Sequence, residues 1–251
     1  MTDSDFPQRL SQLDTIWTVV CRACGDGSDV SADAAQKELL DRYSGVVQRY
    51  LQGALRSTDA AEELSQEFAL RLLRGHLRGA DRRRGRFRDF LKGVLFHMIS
   101  DYHRRQKKQP RPLASGLDLA DDRHLPEATS DQEFLDSWRA EMLSRAWKAL
   151  EILEQNTGKP INTILQFRAA HPDLRSAEMA ERLSLQLGKP VTADWVRQNL
   201  HRAREKFAEI LVDEILQTLE QPKITDLEQE LIDLQLIEYC RPVLDSLPRG
   251  P

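Results

Sequence analysis

Apolar residues recur at three- and four-residue intervals along most of the chain, a spacing that predicts one helix after another and no sustained strand. A short apolar stretch surrounds Ile16, Trp17, Val19 and Val20, and the polar run GDGSDVSAD ends it. Ser31 or Asp33 can cap a helix over 34–55. Its stripe is Leu39, Leu40, Tyr43, Val46, Val47, Tyr50, Leu51 and Ala54, the pattern of a face turned toward a core. Ser57, Thr58 and Asp59 open a second helix over 60–74, with Leu64, Phe68 and Leu72 on one face and Glu62, Glu63, Gln66 and Glu67 on the other. After a glycine-rich basic loop, a third helix over 87–106 turns Phe90, Leu91, Val94, Leu95, Met98 and Ile99 inward, while Phe87, at its start, is left for other contacts.

The period is lost over 109–133, where proline, glycine and aspartate dominate, and this reads as a linker. A second helical domain begins near Phe134, with Trp138, Met142, Ala146, Ala149, Leu150 and Leu153 as its first stripe. Residues 156–160 make a turn and 161–170 a short helix. Ser176 caps a helix that runs through about Leu187 and faces Met179, Ala180 and Leu183 inward. The turn GKPVTAD leads to a helix over 193–219, for which Thr192 and Asp194 are both suitable caps. A last amphipathic run, ITDLEQELIDLQLIEYC, lies in the tail. The expectation is an all-α fold of two small helical domains on a flexible linker: an extension over 1–33, domains over 34–108 and 134–221 flanking the linker, and an acidic tail over 222–251.

Composition narrows the function classes. Of 251 residues, 40% are hydrophobic, 6% aromatic and 30% charged, enough for modest cores under much charged helix surface. No apolar run reaches the ~20 residues that span a bilayer, and the N-terminus is polar and acidic rather than a secretory signal. The expectation is a cytoplasmic protein without a membrane partner. The net charge of −4 conceals segregation. Residues 71–111 carry fourteen Lys or Arg against three acids, whereas 212–251 carry nine acids against three bases. A basic block in an acidic chain is the footprint of a nucleic-acid-binding face. Cys21 and Cys24 form a C-x-x-C pair, which is either half a metal or redox site or a pair of ordinary thiols. A structural zinc site needs four ligands, and no second pair lies nearby, so the thiol reading is preferred and no metal or cofactor is expected. There is no glycine-rich phosphate loop and no nucleophile–base–orienter set, so no catalytic residue is assigned and an enzyme is not expected.

Two stretches carry binding chemistry. The run SAEMAERLSLQLGKPVTADWVRQNLHRAREKFAEIL is a capped helix, a turn and a second capped helix rich in Arg, Gln, Asn and His. That is the layout of a helix-turn-helix, whose second helix offers its early residues to the major groove. Arginine suits guanine, and glutamine or asparagine suits adenine. Arg197, Gln198, His201 and Arg202 share one face, while Trp195, Val196, Leu200 and Phe207 face the other way and should pack inside. An ordinary amphipathic helical hairpin is the competing reading. The second stretch is the basic block of the first domain, where Phe87, Phe90, Phe96, Tyr102, His97 and His103 are interleaved with cations. This mixture suits single strands, in which bases stack on rings and phosphates meet cations.

The runs DAAEELSQEFALRLL and GRFRDFLKGVLFHMISDYHRRQKK resemble region 2 of the sigma-70 family of transcription initiation factors, in its extracytoplasmic-function group, and WVRQNLHRAREKFAEIL resembles the end of region 4. The similarity covers about 34–108 and 134–215. The lead-in TIWTVVCRA and the C-terminal tail are more loosely similar to longer factors of this kind from planctomycete-type bacteria. The turn SLQLGKPVTAD and the segment NTGKPINTILQFRAAHPDLR are longer than their usual counterparts. The resemblance implies that Glu62, Glu63, Gln66 and Glu67 dock on core RNA polymerase (β′ and β subunits). It implies that Arg82, Arg83, Arg84, Arg86 and Phe87, with His97, Arg104 and Arg105, hold the melted −10 element. It implies that Arg197, Gln198, His201 and Arg202 read the −35 element as duplex. An anti-sigma factor or other regulator is a further partner that it allows. The alternative is a free-standing helix-turn-helix regulator, which would dimerise through an apolar surface that only 224–240 offers. The tail either folds over a basic DNA face or packs as a simple helix.

Overall fold

The segments predicted from periodicity are helical in the computed structural model, which describes residues 19–20, 22–23, 29–74, 86–108, 127–219 and 223–247. Nine long helices are formed among these residues: α1 (Asp29–Leu55), α2 (Thr58–Leu73), α3 (Phe87–Lys108), α4 (Glu127–Thr157), α5 (Ile161–Ala170), α6 (Ser176–Leu187), α7 (Ala193–Leu216), α8 (Ile224–Asp233) and α9 (Ile237–Asp245). No strand occurs among the described residues, so the fold is all-α, as expected. Among the described residues, no helix is long and apolar enough to cross a membrane. Cys21, Cys24, Arg82, Arg83, Arg84 and most of the expected linker (109–126) lie outside the described residues; the rest of that linker, 127–133, is helical and opens α4.

The described chain divides into two compact units, residues 19–141 with 217–219, and 142–216 with 223–247. The division thus falls within α4. Phe134 and Trp138, expected to open the second domain, fall in the first unit.

In the first unit, α1 packs on α2. Ser57 caps α2 by accepting a hydrogen bond from Ala60 N (3.3 Å), which satisfies one of the free amides of the first turn. Leu39, Tyr43, Val46, Val47, Tyr50 and Leu51 of α1 are buried, with Leu64, Phe68 and Leu72 of α2 and Leu91, Leu95 and Met98 of α3. Leu40 and Ala54, placed in the stripe by their spacing, are only half-buried. Val19, Val20 and Ala23 join the core, and buried Gln36 donates through Nε2 to the Ala23 carbonyl (3.1 Å). Aromatic rings complete it: Tyr43 lies against Trp138 (5.4 Å), Tyr50 meets Phe134 edge-on (5.2 Å), and Phe87 sits 4.8 Å from Tyr43 and 6.4 Å from Trp138. Gly45 lies where these helices meet: a Cβ there would stand 2.5 Å from Oε2 of buried Glu141 and would displace that carboxylate, which Arg49 holds at 2.6 Å.

In the second unit α7 is the axis, packed by α5, α6, α8 and α9. Its buried face runs Val196, Leu200, Ala203, Phe207, Ala208, Leu211, Val212, Ile215 and Leu216. Trp147 of α4 lies 4.6 Å from the Phe207 ring, and Arg145 pairs with Glu214 (2.6 Å). The residue before α5 is Pro160, which has no side-chain cap to offer, and Glu154 of α4 takes that role. Its carboxylate accepts from Thr163 N (2.9 Å) and Thr163 Oγ1 (2.5 Å).

The tail run is two helices rather than one. Gln235 takes a left-handed conformation (φ 57°), and Leu236 N returns to the Leu231 carbonyl (2.8 Å), a closure that ends α8 before α9 begins. Leu227, Leu231, Leu234, Cys240 and Leu244 are buried within this unit.

Candidate nucleic-acid interfaces

The first candidate surface lies on α2 and α3. Glu62, Glu63 and Gln66 are exposed along α2. Glu67 is half-buried and doubly paired: Arg71 donates to one carboxylate oxygen (2.5 Å) and Arg105 of α3 to the other (2.9 Å). Burial alone would raise this carboxyl, but the Arg105 hydrogen bond and the charges of Arg71 and Arg105 outweigh burial and hold it below the usual glutamate range. The same hydrogen bond and the charge of Glu67 raise the Arg105 guanidinium. Two residues that the resemblance gives to different partners are therefore brought together. The i, i+4 spacing of Glu67 and Arg71 signals the first of these pairs in the sequence; the second needs the fold.

On α3, His97, Arg104 and Arg105 are exposed, and seven residues separate His97 from Arg104, about two turns on one face. Arg104 pairs with Asp101 (2.5 Å). Arg86 is half-exposed at the helix start. Phe87 corrects the reading: it is 3% exposed and enclosed by Tyr43, Phe90 and Trp138, so it is a core residue and not a surface for stacking bases. Phe90 and Val94, assigned to the core, are half-exposed instead. Leu91, Leu95, Met98 and Ile99 are buried as expected, and Phe87 joins them because Tyr43 and Trp138 meet its ring.

The second candidate surface is the α6–α7 pair. The helix begins at Ser176, so Ser176 is not its cap; the preceding residue is Arg175, whose amide donates to Glu178 Oε2 (2.8 Å). Gly188 ends α6 in a left-handed conformation (φ 64°), which glycine adopts without steric cost. The long turn is held by Ser184, whose Oγ donates to the Ala180 carbonyl (2.7 Å) and accepts from Val191 N (2.9 Å). Thr192 then caps α7, accepting from Trp195 N (3.2 Å). Of the two expected caps, Thr192 is used, while Asp194 pairs with Arg197.

Arg197, Gln198, His201 and Arg202 are all exposed. Behind them Val196, Leu200 and Phe207 are buried, whereas Trp195, expected inside, is half-exposed with Lys189 Nζ 5.8 Å from its ring centroid. The four exposed side chains are not equivalent. Arg197 is engaged by Asp194 and His201 faces Glu205 (3.3 Å), while Gln198 and Arg202 are held by no ion pair among the described residues. The D-x-x-R spacing of the first pair was visible in the sequence. Asn199 donates to the Trp195 carbonyl (2.8 Å) and is occupied by its own helix.

The tail helices pack on α7. Tyr239 of α9 meets Phe207 edge-on (5.8 Å), and its hydroxyl approaches the Arg204 carbonyl (3.5 Å). Tyr239 keeps 40% of its surface exposed and its hydroxyl is raised by partial burial, whereas full burial pushes the Cys240 thiol up to about 12. The tail run is thus packed on α7 within its own unit. No family model, curated protein or solved structure matches the chain.

Proposed function

We propose that this chain is a sigma factor of the extracytoplasmic-function kind: it binds core RNA polymerase in the cytoplasm and directs promoter recognition, melting and transcription initiation, without catalysis of its own. The observation that carries the reading is the α6–α7 pair. Two capped helices are joined by a braced turn, and Arg197, Gln198, His201 and Arg202 are exposed opposite a buried face of Val196, Leu200, Ala203 and Phe207. This is the arrangement of a groove-reading helix on its support. The basic α3 and the exposed acids of α2 add a second, chemically different surface on a separate unit, as a protein that must hold both polymerase and promoter requires.

A free-standing regulator would work as a dimer, and its apolar surface would come from 224–240. Leu227, Leu231 and Leu234 of that run are buried against their own unit, which favours the sigma reading. The test is a pull-down with core polymerase followed by run-off transcription. Wild type is expected to be retained and to start transcription at specific sites, and Glu62/Glu63/Gln66→Ala to lose retention. A protein that is not retained, yet binds palindromic duplex alone, is the regulator instead.

A further inference from the structure

Glu67 stands where the resemblance puts a polymerase contact, and Arg105 where it puts a phosphate contact. They lie 38 residues apart in the chain, yet Arg105 Nη2 donates to Glu67 Oε2 at 2.9 Å. The other oxygen of Glu67 takes Arg71 (2.5 Å), so both carboxylate oxygens are occupied. The Arg105 charge is thereby neutralised on the face where a phosphate would approach. The bridge is within reach of solvent, with 25% of the Glu67 side chain and 52% of the Arg105 side chain exposed, so either partner is open to exchange without unpacking the core.

We propose that Glu67 is an exchangeable counter-ion that withholds Arg105 from nucleic acid in the free protein, and that a cationic group of the docking partner, by taking the Glu67 carboxylate, releases Arg105 to a backbone phosphate. The idea rests on the functional reading above. The exchange breaks one carboxylate–guanidinium pair and forms two new pairs, one with the partner's cation and one between Arg105 and a phosphodiester, which a guanidinium binds well. The coupling is therefore positive, and it is reciprocal: DNA held at Arg105 frees Glu67 for the partner. An ion pair this exposed limits its size to about two- to five-fold in affinity, the upper value being ~1 kcal/mol.

The experiment measures binding of the full chain, without polymerase, to a labelled short single-stranded oligodeoxynucleotide by fluorescence anisotropy at fixed salt. Glu67→Gln is expected to tighten binding two- to five-fold, and the gain is expected to vanish in Glu67→Gln/Arg105→Ala. Asp41→Asn, at an exposed acid of α1, makes the same charge change and sets the non-specific effect. Glu67→Met, similar in length and uncharged, serves if circular dichroism shows that Glu67→Gln has lost helix. Equal affinities for Glu67→Gln and Asp41→Asn overturn the exchange, and Glu67 is then a brace between α2 and α3. In that case the functional reading survives if wild type binds the oligonucleotide and Arg105→Ala weakens it. If wild type, Glu67→Gln and Glu67→Met all fail to bind, the DNA assignment of α3 falls and the exchange with it.

Discussion

Trp138 and Tyr43 stack with ring centroids 5.4 Å apart and planes 16° from parallel, and both side chains are essentially without solvent contact. Through this pair α4 closes the aromatic core of the first unit over α1. Removing the indole leaves a large cavity beside Tyr43, Phe87 and Phe134. Trp138→Ala is expected to destabilise the first unit by about 3–5 kcal/mol, the usual cost of truncating a buried aromatic. Chemical denaturation followed by near-ultraviolet circular dichroism checks this. A loss below about 1 kcal/mol would mean that α4 does not belong to that core.

Glu154 caps a helix to which it does not belong. Its two carboxylate oxygens receive the amide and hydroxyl of Thr163, because Pro160 has no side chain able to do so. Glu154→Ala leaves the first turn of α5 with an unsatisfied amide and is expected to cost about 1 kcal/mol. Amide exchange resolved by NMR should show faster opening at residues 161–164 and little change in the first unit. Uniform acceleration across the chain would refute the local role.

Helix order and most ends were legible from the apolar period, and 161–170 was placed to the residue, because proline, glycine and polar breaks bracket it. What the period does not carry is which neighbour a stripe will meet. Trp138 belongs to a single unbroken stripe with Met142 and Ala146, and nothing in the spacing marks the point where one unit gives way to the next. The exchange of Phe87 and Phe90 has the same origin: both fit an inward face, and the presence of Trp138 decides between them. The exposure of Arg197, Gln198, His201 and Arg202 on α7 was legible because an exposed polar face is local information. Their unequal engagement was partly legible, through the i, i+3 spacing of Asp194 and Arg197, whereas the bridge from Glu67 to Arg105 depends on how two helices pack.

Cys240 is fully buried, and its thiol is pushed up to about 12 by that burial. At neutral pH it should be almost entirely protonated and shielded, and so inert. In a Cys21→Ser/Cys24→Ser background, maleimide labelling is expected to be slow in the native protein and fast in denaturant. Because the folded value lies above the ordinary 9.0, the thiol's contribution is complete below about pH 9 and is lost as the pH rises toward 12. Stability should therefore fall from about pH 9 upward. Rapid labelling of the native protein at pH 7 contradicts the packing of α9.

Glu67 gives the opposite pH dependence. Its folded value lies below the ordinary 4.5, so its ion pairs contribute fully above about pH 4.5 and fade as the pH falls through the lowered value. The melting-temperature difference between wild type and Glu67→Gln should be steady from pH 7 to about 5 and shrink below it. A difference that grows on acidification reverses the sign and rules out the paired carboxylate.

Arg202 and Arg197 are both exposed on the proposed reading face of α7, but only Arg197 is engaged by an acid, Asp194, on its own helix. To reach a base Arg197 must first leave Asp194, so part of its binding energy is already spent. Arg202 is held by no ion pair among the described residues, and a bidentate contact to guanine is worth about 1–3 kcal/mol of discrimination. Arg202→Ala is therefore expected to relax preference at one base pair of the upstream element by roughly ten- to a hundred-fold. Arg197→Ala should have a smaller effect. Asp194→Asn should strengthen duplex binding without changing the preferred base at other positions. Run-off transcription from a randomised upstream element reads all three. If Arg197→Ala changes the preferred sequence more than Arg202→Ala does, the helix enters the groove by its first turn, and the assignment of Arg202 as principal reader is wrong.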